Sequence, residues 1–240
     1  MDGTAIKIIE ELAIDANRVL IDGEVYARDD YSPVKPQHYA TLRMSTLKSL
    51  ADFIAQNPQN LDFKNAIIVI DPDFTVRLMS DIIPLTLDRS VYAEVKAYPS
   101  KGFEFGNRYD LESFIVALKT KFVHAADWEE VFNVARKVQI DDGVEIDDNG
   151  MSQRVTIKKG ISAASLSKET IKTDYTLAPN RIFTECEQPA SVFFLRLSGN
   201  KEMGISISLH ETDGGDWRKT AAQNIKECLV QNGVELPIYL

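Results

Sequence analysis

Residues 210–217 read HETDGGDW, and they set a histidine, a glutamate and two aspartates in one short stretch. His210, Glu211, Asp213 and Asp216 are residue types that hold a divalent ion or pass a proton. Converging where a strand meets a helix N-terminus, they would form the centre of a metal-dependent hydrolase or nucleotide-processing enzyme. The same octapeptide also reads as a joint. Asp213 or Asp216 can cap the helix that begins near Trp217, and Gly214 and Gly215 can take torsions closed to other residues. Trp217 then anchors the first turn in the core, and only His210 and Glu211 lack a duty. The joint accounts for more of the residues, so the four stand as a speculative catalytic set and no metal ligand is assigned.

Other chemistries fail on spacing. Ser208 and His210 alternate onto one strand face, but neither GxSxG nor SxxK is present. Such neighbours stand roughly 7 Å apart at the backbone, so a nucleophile–base contact needs both side chains to lean together. Ser206, Ser208 and His210 read more simply as the wet face opposite Ile205, Ile207 and Leu209. A zinc site would have to be assembled from His38, His124, His210, Cys186 and Cys228, which fall in separate elements without ligand spacing. The acidic run IDDGVEIDDNG, residues 140–150, offers Glu145, Asp147 and Asn149 to calcium if Gly150 takes the loop glycine position. Thr156 then stands where a bidentate glutamate is required, so the run reads as a solvated hairpin. No glycine-rich phosphate loop occurs, and no cofactor is expected. Tyr98, Phe103 and Phe105 could stack on a base, with core packing as their other use.

The elements that must position these residues follow from periodicity. Ala5, Ile8, Ile9, Leu12, Ala16 and Val19 fall three or four apart and predict an amphipathic helix over 4–20. Tyr31–Pro36 is extended, since each proline removes a donor and disfavours helix before it. Ser45 as N-cap, Leu47, Leu50, Ala51 and Ile54 on one face, and the stop Asn57-Pro58 mark a second helix. From Asn65 to Pro99 the chain reads as strands: Ala66–Ile70, a turn at Asp71-Pro72-Asp73, Phe74–Met79, and the alternating VYAEVKAY of 91–98. Helices follow over 111–122, behind Asp110, and over 128–138, opened by Asp127-Trp-Glu-Glu130 as a near capping box. Beyond Gln139 the pattern turns to β, with a hairpin about Asn149-Gly150 and strands over 183–187, 192–197 and 204–210. A helix from Trp217 to Gln231 closes at Asn232-Gly233.

Strands and helices thus come in runs and do not alternate, which predicts an α+β fold with largely antiparallel sheets. A boundary near 139/140 would separate an N-terminal half, 1–139, from a β-rich half, 140–240, packed together as one unit.

Composition narrows the function. With 27 basic against 36 acidic residues the net charge is −9, which disfavours nucleic acid and anionic membranes as partners. The N-terminal residues carry acids where a signal peptide needs bases, and no apolar run approaches the ~20 residues that span a bilayer. Cys186 and Cys228 form no disulfide framework, so a cytoplasmic location is expected.

Four stretches resemble a family of phage and prophage proteins from low-GC Gram-positive bacteria: NRYDLESFIVALKTKFV (107–123), DDNGMSQRVTIKKGI (147–161), LAPNRIFTECEQPASVFFLRL (177–197) and HETDGGDW. The related pattern reads YDLE-F-IAL, DDGVSQ-VTVK-GI, PYRTF-EVEQP-S-F-FR and EADGGAW. This chain departs from it with Asn180 in place of Tyr, Ile182 in place of Thr and Thr212 in place of Ala. The resemblance spans roughly residues 60–230, brings no established activity, and implies an accessory phage protein located in the host cytoplasm.

The expectation from the sequence is therefore a non-enzymatic accessory protein. It would act by binding a phage or host protein and copies of itself as a homo-oligomer, in phage DNA metabolism or counter-defence. The 4–20 helix and the Tyr31–Pro36 arm are the expected contacts. The alternatives are the metal-dependent enzyme at His210–Asp216 and a small-molecule sponge.

Overall fold

The structure, a computed structural model, describes residues 18–21, 24–27, 40–84, 87–98, 102–140, 144–148, 153–158, 166–200 and 204–240. The chain divides into two compact units, Met1–Ala40 and Thr41–Leu240. In the first, the described residues form an antiparallel hairpin of β1 (Arg18–Ile21) and β2 (Glu24–Ala27), with Arg18 opposite Ala27. The helix expected over 4–20 lies outside the described residues except for Arg18–Leu20, which are strand. β-Branched residues on both sides of Asp22-Gly23 make a hairpin pattern that the helical spacing up to Val19 concealed. The Tyr31–Pro36 arm lies outside the described residues.

In the second unit, one sheet holds β3 (Leu42–Met44), β4 (Ile67–Ile70), β5 (Val76–Ile82), β6 (Arg89–Val95) and β15 (Ile238–Tyr239) in the order β15-β4-β5-β6-β3. β4, β5 and β6 pair antiparallel, while β3 and β15 join the two edges in parallel. The alternation read in VYAEVKAY is realised: Ala93 and Val95 are buried, and Glu94 faces the other way toward Arg77. Two helices, α1 (Leu47–Gln56) and α4 (Trp217–Gln231), share the core of this sheet. Leu47, Leu50, Ala221, Ile225 and Leu229 pack there with Ile68, Val76 and Leu78, each large side chain worth about 1.5–3 kcal/mol of burial.

The helix ends are chemically specified. Thr46, one residue beyond the expected Ser45, is the N-cap of α1; its extended backbone lets Oγ1 accept the Ser49 N–H at 3.2 Å. Asn57 closes α1 in the left-handed region, and its side chain exchanges two hydrogen bonds with the Leu61 backbone. At the end of α4, Gly233 takes φ +85° as expected, and Val234 N–H reaches back to the Leu229 carbonyl.

A second sheet, entirely antiparallel, runs β7 (Tyr109–Asp110), β14 (Gly204–Glu211), β13 (Ser191–Asn200), β12 (Asp174–Pro179), β8 (Phe122–Val123). α2 (Leu111–Lys121) and α3 (Trp128–Ile140) share its core, with Phe114, Leu118, Val131 and Ala135 among Tyr175, Leu177, Phe193, Leu195, Ile207 and Leu209. Asp110 caps α2 by accepting the Ser113 N–H at 2.9 Å. Asp127 does not complete a capping box. Its carboxylate accepts the Thr176 N–H at 2.8 Å and its own N–H donates to the Thr176 carbonyl, which ties the start of α3 to β12.

A third, small sheet has the order β11 (Leu166–Ile171), β10 (Gln153–Lys158), β9 (Val144–Asp148). The expected hairpin is β9–β10, but Asp148 pairs with Gln153, so residues 149–152 separate the paired ends where a two-residue turn was expected. Those residues lie outside the described ones.

The molecule is thus a mixed α+β fold, with four helices and mostly antiparallel sheets among the described residues, and α4 is followed by a short strand. The first sheet and its helices come from residues 42–95 and 217–239, so the second sheet is nested between them in sequence. The boundary expected at 139/140 falls inside α3, whose Val131, Ala135 and Val138 share a core with strands of the following half. No helix among the described residues is long and apolar enough to cross a membrane.

Candidate functional site

β14 carries the two residues that the joint reading left idle, and strand alternation sends them to opposite faces. Glu211 meets Arg181, with Oε1 2.6 Å from Nη2 in an ion pair. The guanidinium lies 4.2 Å from the Trp217 ring centroid, 5.1 Å from Phe105 and 5.4 Å from Phe193. Its Nη1 donates to Ser191 Oγ at 3.1 Å. Burial pulls the Arg181 pKa below its ordinary value, and the neighbouring Glu211 and Asp213 carboxylates oppose that shift. A cation enclosed by three aromatic rings needs an anion, and Glu211 supplies it.

His210 turns the other way. Its Nε2 lies 3.1 Å from Ser208 Oγ, so the two side chains do lean together. Ser208 is not on a wet face, because its residue is only 4% exposed. The pair has the contact that a base and a nucleophile require, yet a hydroxyl so enclosed offers no approach to a substrate.

The rest of the octapeptide builds a turn. Asp213 Oδ1 accepts the Gly215 N–H at 3.0 Å, and Gly214 and Gly215 take φ values of +62° and +88°. A Cβ on Gly215 would stand 2.3 Å from the Arg218 guanidinium. Asp216 occupies the N-cap position but makes no side-chain cap; its carboxylate pairs with Lys219 at 2.8 Å on the surface. Trp217 packs against Phe74, as an anchor should, with ring centroids 5.6 Å apart. His210, Glu211, Asp213 and Asp216 therefore do not converge, and no group of three or more candidate ligands gathers among the described residues.

The remaining candidates disperse as well. His124 pairs with Glu129 at 2.8 Å on the surface, and His38 lies outside the described residues. Cys186 and Cys228 do meet, in the core shared by α1 and α4, where both are buried thiols. In the calcium candidate, Glu145 and Thr156 face each other across β9–β10, and Asn149 and Gly150 lie outside the described residues. Phe103 and Phe105 belong to an aromatic core, stacked on Tyr109 at 4.7 Å and on Phe193 at 4.9 Å.

Arg181 and Gln188 organise this region without having been singled out in the sequence. The strand expected at 183–187 is an irregular turn because the buried Gln188 amide occupies its backbone groups. Oε1 accepts from the Arg181 and Ile182 N–H groups at 2.8 and 3.2 Å, and Nε2 donates to the Phe183 and Cys186 carbonyls at 2.8 and 3.1 Å. One side chain thus does what a neighbouring strand would do. The available signal was the resemblance, whose pattern includes arginine and glutamine at these positions.

Concavities occur elsewhere among the described residues. A cavity of about 330 Å³ is lined by Thr46, Tyr98, Lys121, Asn180, Phe183 and Glu185, among others. An apolar depression of about 480 Å³ is lined by Val69, Ile70, Pro72, Phe74, Ala222 and Leu240, with Asp71, Arg218 and Lys219 at its polar margin. Compared with protein-family models, with curated proteins and with solved structures, the chain matches none of them.

Proposed function

We propose that the protein is a phage accessory protein that works by binding another protein, and that the apolar depression between β4 and α4 is its contact surface. The observation that carries this reading is the composition of that surface. Val69, Ile70, Pro72, Phe74, Ala222 and Leu240 form an apolar floor beside the edge strand β15, where Tyr239 and Leu240 are exposed. Small apolar depressions with a charged margin are common protein-docking features.

Charge selects the partner. Among the described residues Arg218 lies over the Trp217 ring and makes no salt bridge, while Lys219 pairs with the exposed Asp216. Asp71 is neutralised by Arg77. The surplus is positive in a chain whose net charge is −9. The occupant is accordingly an apolar protein segment flanked by a carboxylate. Phe74 adds support: a bulky residue at φ +62°, it is held in a costly conformation with its ring on this surface.

The test compares the full chain with its Ala222→Arg and Arg218→Glu variants, by affinity capture from host cells and by sedimentation over a concentration range. One defined protein captured by the wild type and lost with both variants supports the reading. Self-association lost with both variants makes the partner a second copy. A strict monomer whose captured proteins are the same in all three overturns it.

A further inference from the structure

We infer that the cavity of about 330 Å³ between α1, the 180–185 turn and the end of α2 is a binding site for a neutral nitrogen heterocycle of nucleobase type, taken as a nucleoside. The cavity shares no lining residue with the depression proposed above as a protein contact. Its size is at the lower end of the range in which small-molecule sites fall. Its walls present both hydrogen-bonding signs. Glu185 offers a carboxylate, of which Oε1 already accepts the Lys48 N–H at 2.9 Å, leaving the second oxygen to receive N–H groups. Lys121 offers an ammonium whose Nζ donates one hydrogen bond to the Gly102 carbonyl at 2.8 Å, leaving two donors.

These two charges cancel, so the walls favour a ligand with no net charge that carries N–H donors together with a carbonyl or ring-nitrogen acceptor. Nucleobases present that combination along their edges. A phosphate is disfavoured because Glu185 already occupies the backbone donor at the start of α1, where an anion would otherwise bind. Tyr98 supplies the flat surface. Its residue is 74% exposed although it lines the cavity, and it is absent from both hydrophobic cores, unlike Phe103 and Phe105. An aromatic ring left at the rim of a cavity is placed to stack on a planar ligand.

The test titrates the full chain calorimetrically with guanosine, adenosine, cytidine and uridine, and with the 5′-monophosphate of whichever binds best. Saturable 1:1 binding of at least one nucleoside is expected, weakened about tenfold or more by the surface substitution Tyr98→Ala. Glu185→Gln should weaken the same nucleoside by a similar factor, and its monophosphate should bind no more tightly. Lack of saturable binding by all four nucleosides overturns the inference. So does affinity unchanged in Tyr98→Ala, or a monophosphate at least about tenfold tighter than its nucleoside, which would mark a phosphate site.

Discussion

Arg181 and Glu211 come together from a turn and a strand, with Nη2 and Oε1 2.6 Å apart and the guanidinium laid over Trp217. Removing the anion leaves a buried cation without compensation. Glu211→Ala should therefore destabilise the protein by about 3 kcal/mol, at the low end for buried pairs because Glu211 retains some solvent contact. The double variant Arg181→Met, Glu211→Leu should be less destabilised than Glu211→Ala alone. Urea denaturation measures both, and an equal or greater loss in the double variant would contradict the buried-pair account.

Acid should weaken the start of α2. Asp110 has its pKa lowered from 3.8 by the side-chain and backbone hydrogen bonds of Ser113. A carboxyl held lower in the folded state contributes fully above its unfolded value and loses that contribution as pH falls through the folded one. Asp110→Ala should cost about 0.5 kcal/mol near neutrality, the low end for a cap this exposed, and the difference from wild type should shrink as pH falls below the ordinary aspartate range. A gap that persists undiminished into acid would refute this assignment.

The two thiols should be poorly reactive. Burial pushes the Cys186 pKa upward, and the adjacent Cys228 thiol adds to the shift; burial raises Cys228 too. Because the thiolate is the reacting species, an aromatic disulfide reagent at mildly alkaline pH should label the native protein about 100-fold more slowly than the urea-unfolded chain. Equal rates in the two states would show that the core around these residues opens freely.

Divalent ions should leave stability unaltered. His210 and Glu211 lie on opposite faces of β14, and Asp213 and Asp216 are held in separate hydrogen bonds and ion pairs. Millimolar Mg²⁺, Mn²⁺ or Zn²⁺ should shift the melting temperature by less than about 1 °C, since a ligand stabilises only by binding the folded state. A larger rise that disappears in Asp213→Asn would restore the metal-site reading.

The parts legible in the sequence were those whose pattern was local. α2, α3 and α4 carry apolar stripes, Asp110 caps α2 and Gly233 marks the end of α4, and the β4–β5 turn is written in Asp71-Pro72-Asp73. β7, β8 and β15 are two residues each, too short for any periodicity, and exist because a neighbouring strand presents free backbone groups. β11 is dominated by polar residues and gave no alternating apolar signal. At HETDGGDW the glycines and Trp217 were readable as a joint because torsion and anchoring are local requirements. Glu211's role was not, because its partner Arg181 is thirty positions away and meets it only through folding.

The parallel pairing of β15 with β4 has a consequence for how the chain folds as it is made. Ile238 must find Ile68, so the first sheet cannot gain its last strand until nearly the whole described chain has left the ribosome. The second sheet and its helices, with all strands drawn from residues 109–211, can close before that. During synthesis the second sheet can thus be complete while β4 still shows an open edge. A pause in translation between the two events would prolong the exposure of that edge and with it the risk of wrong pairing.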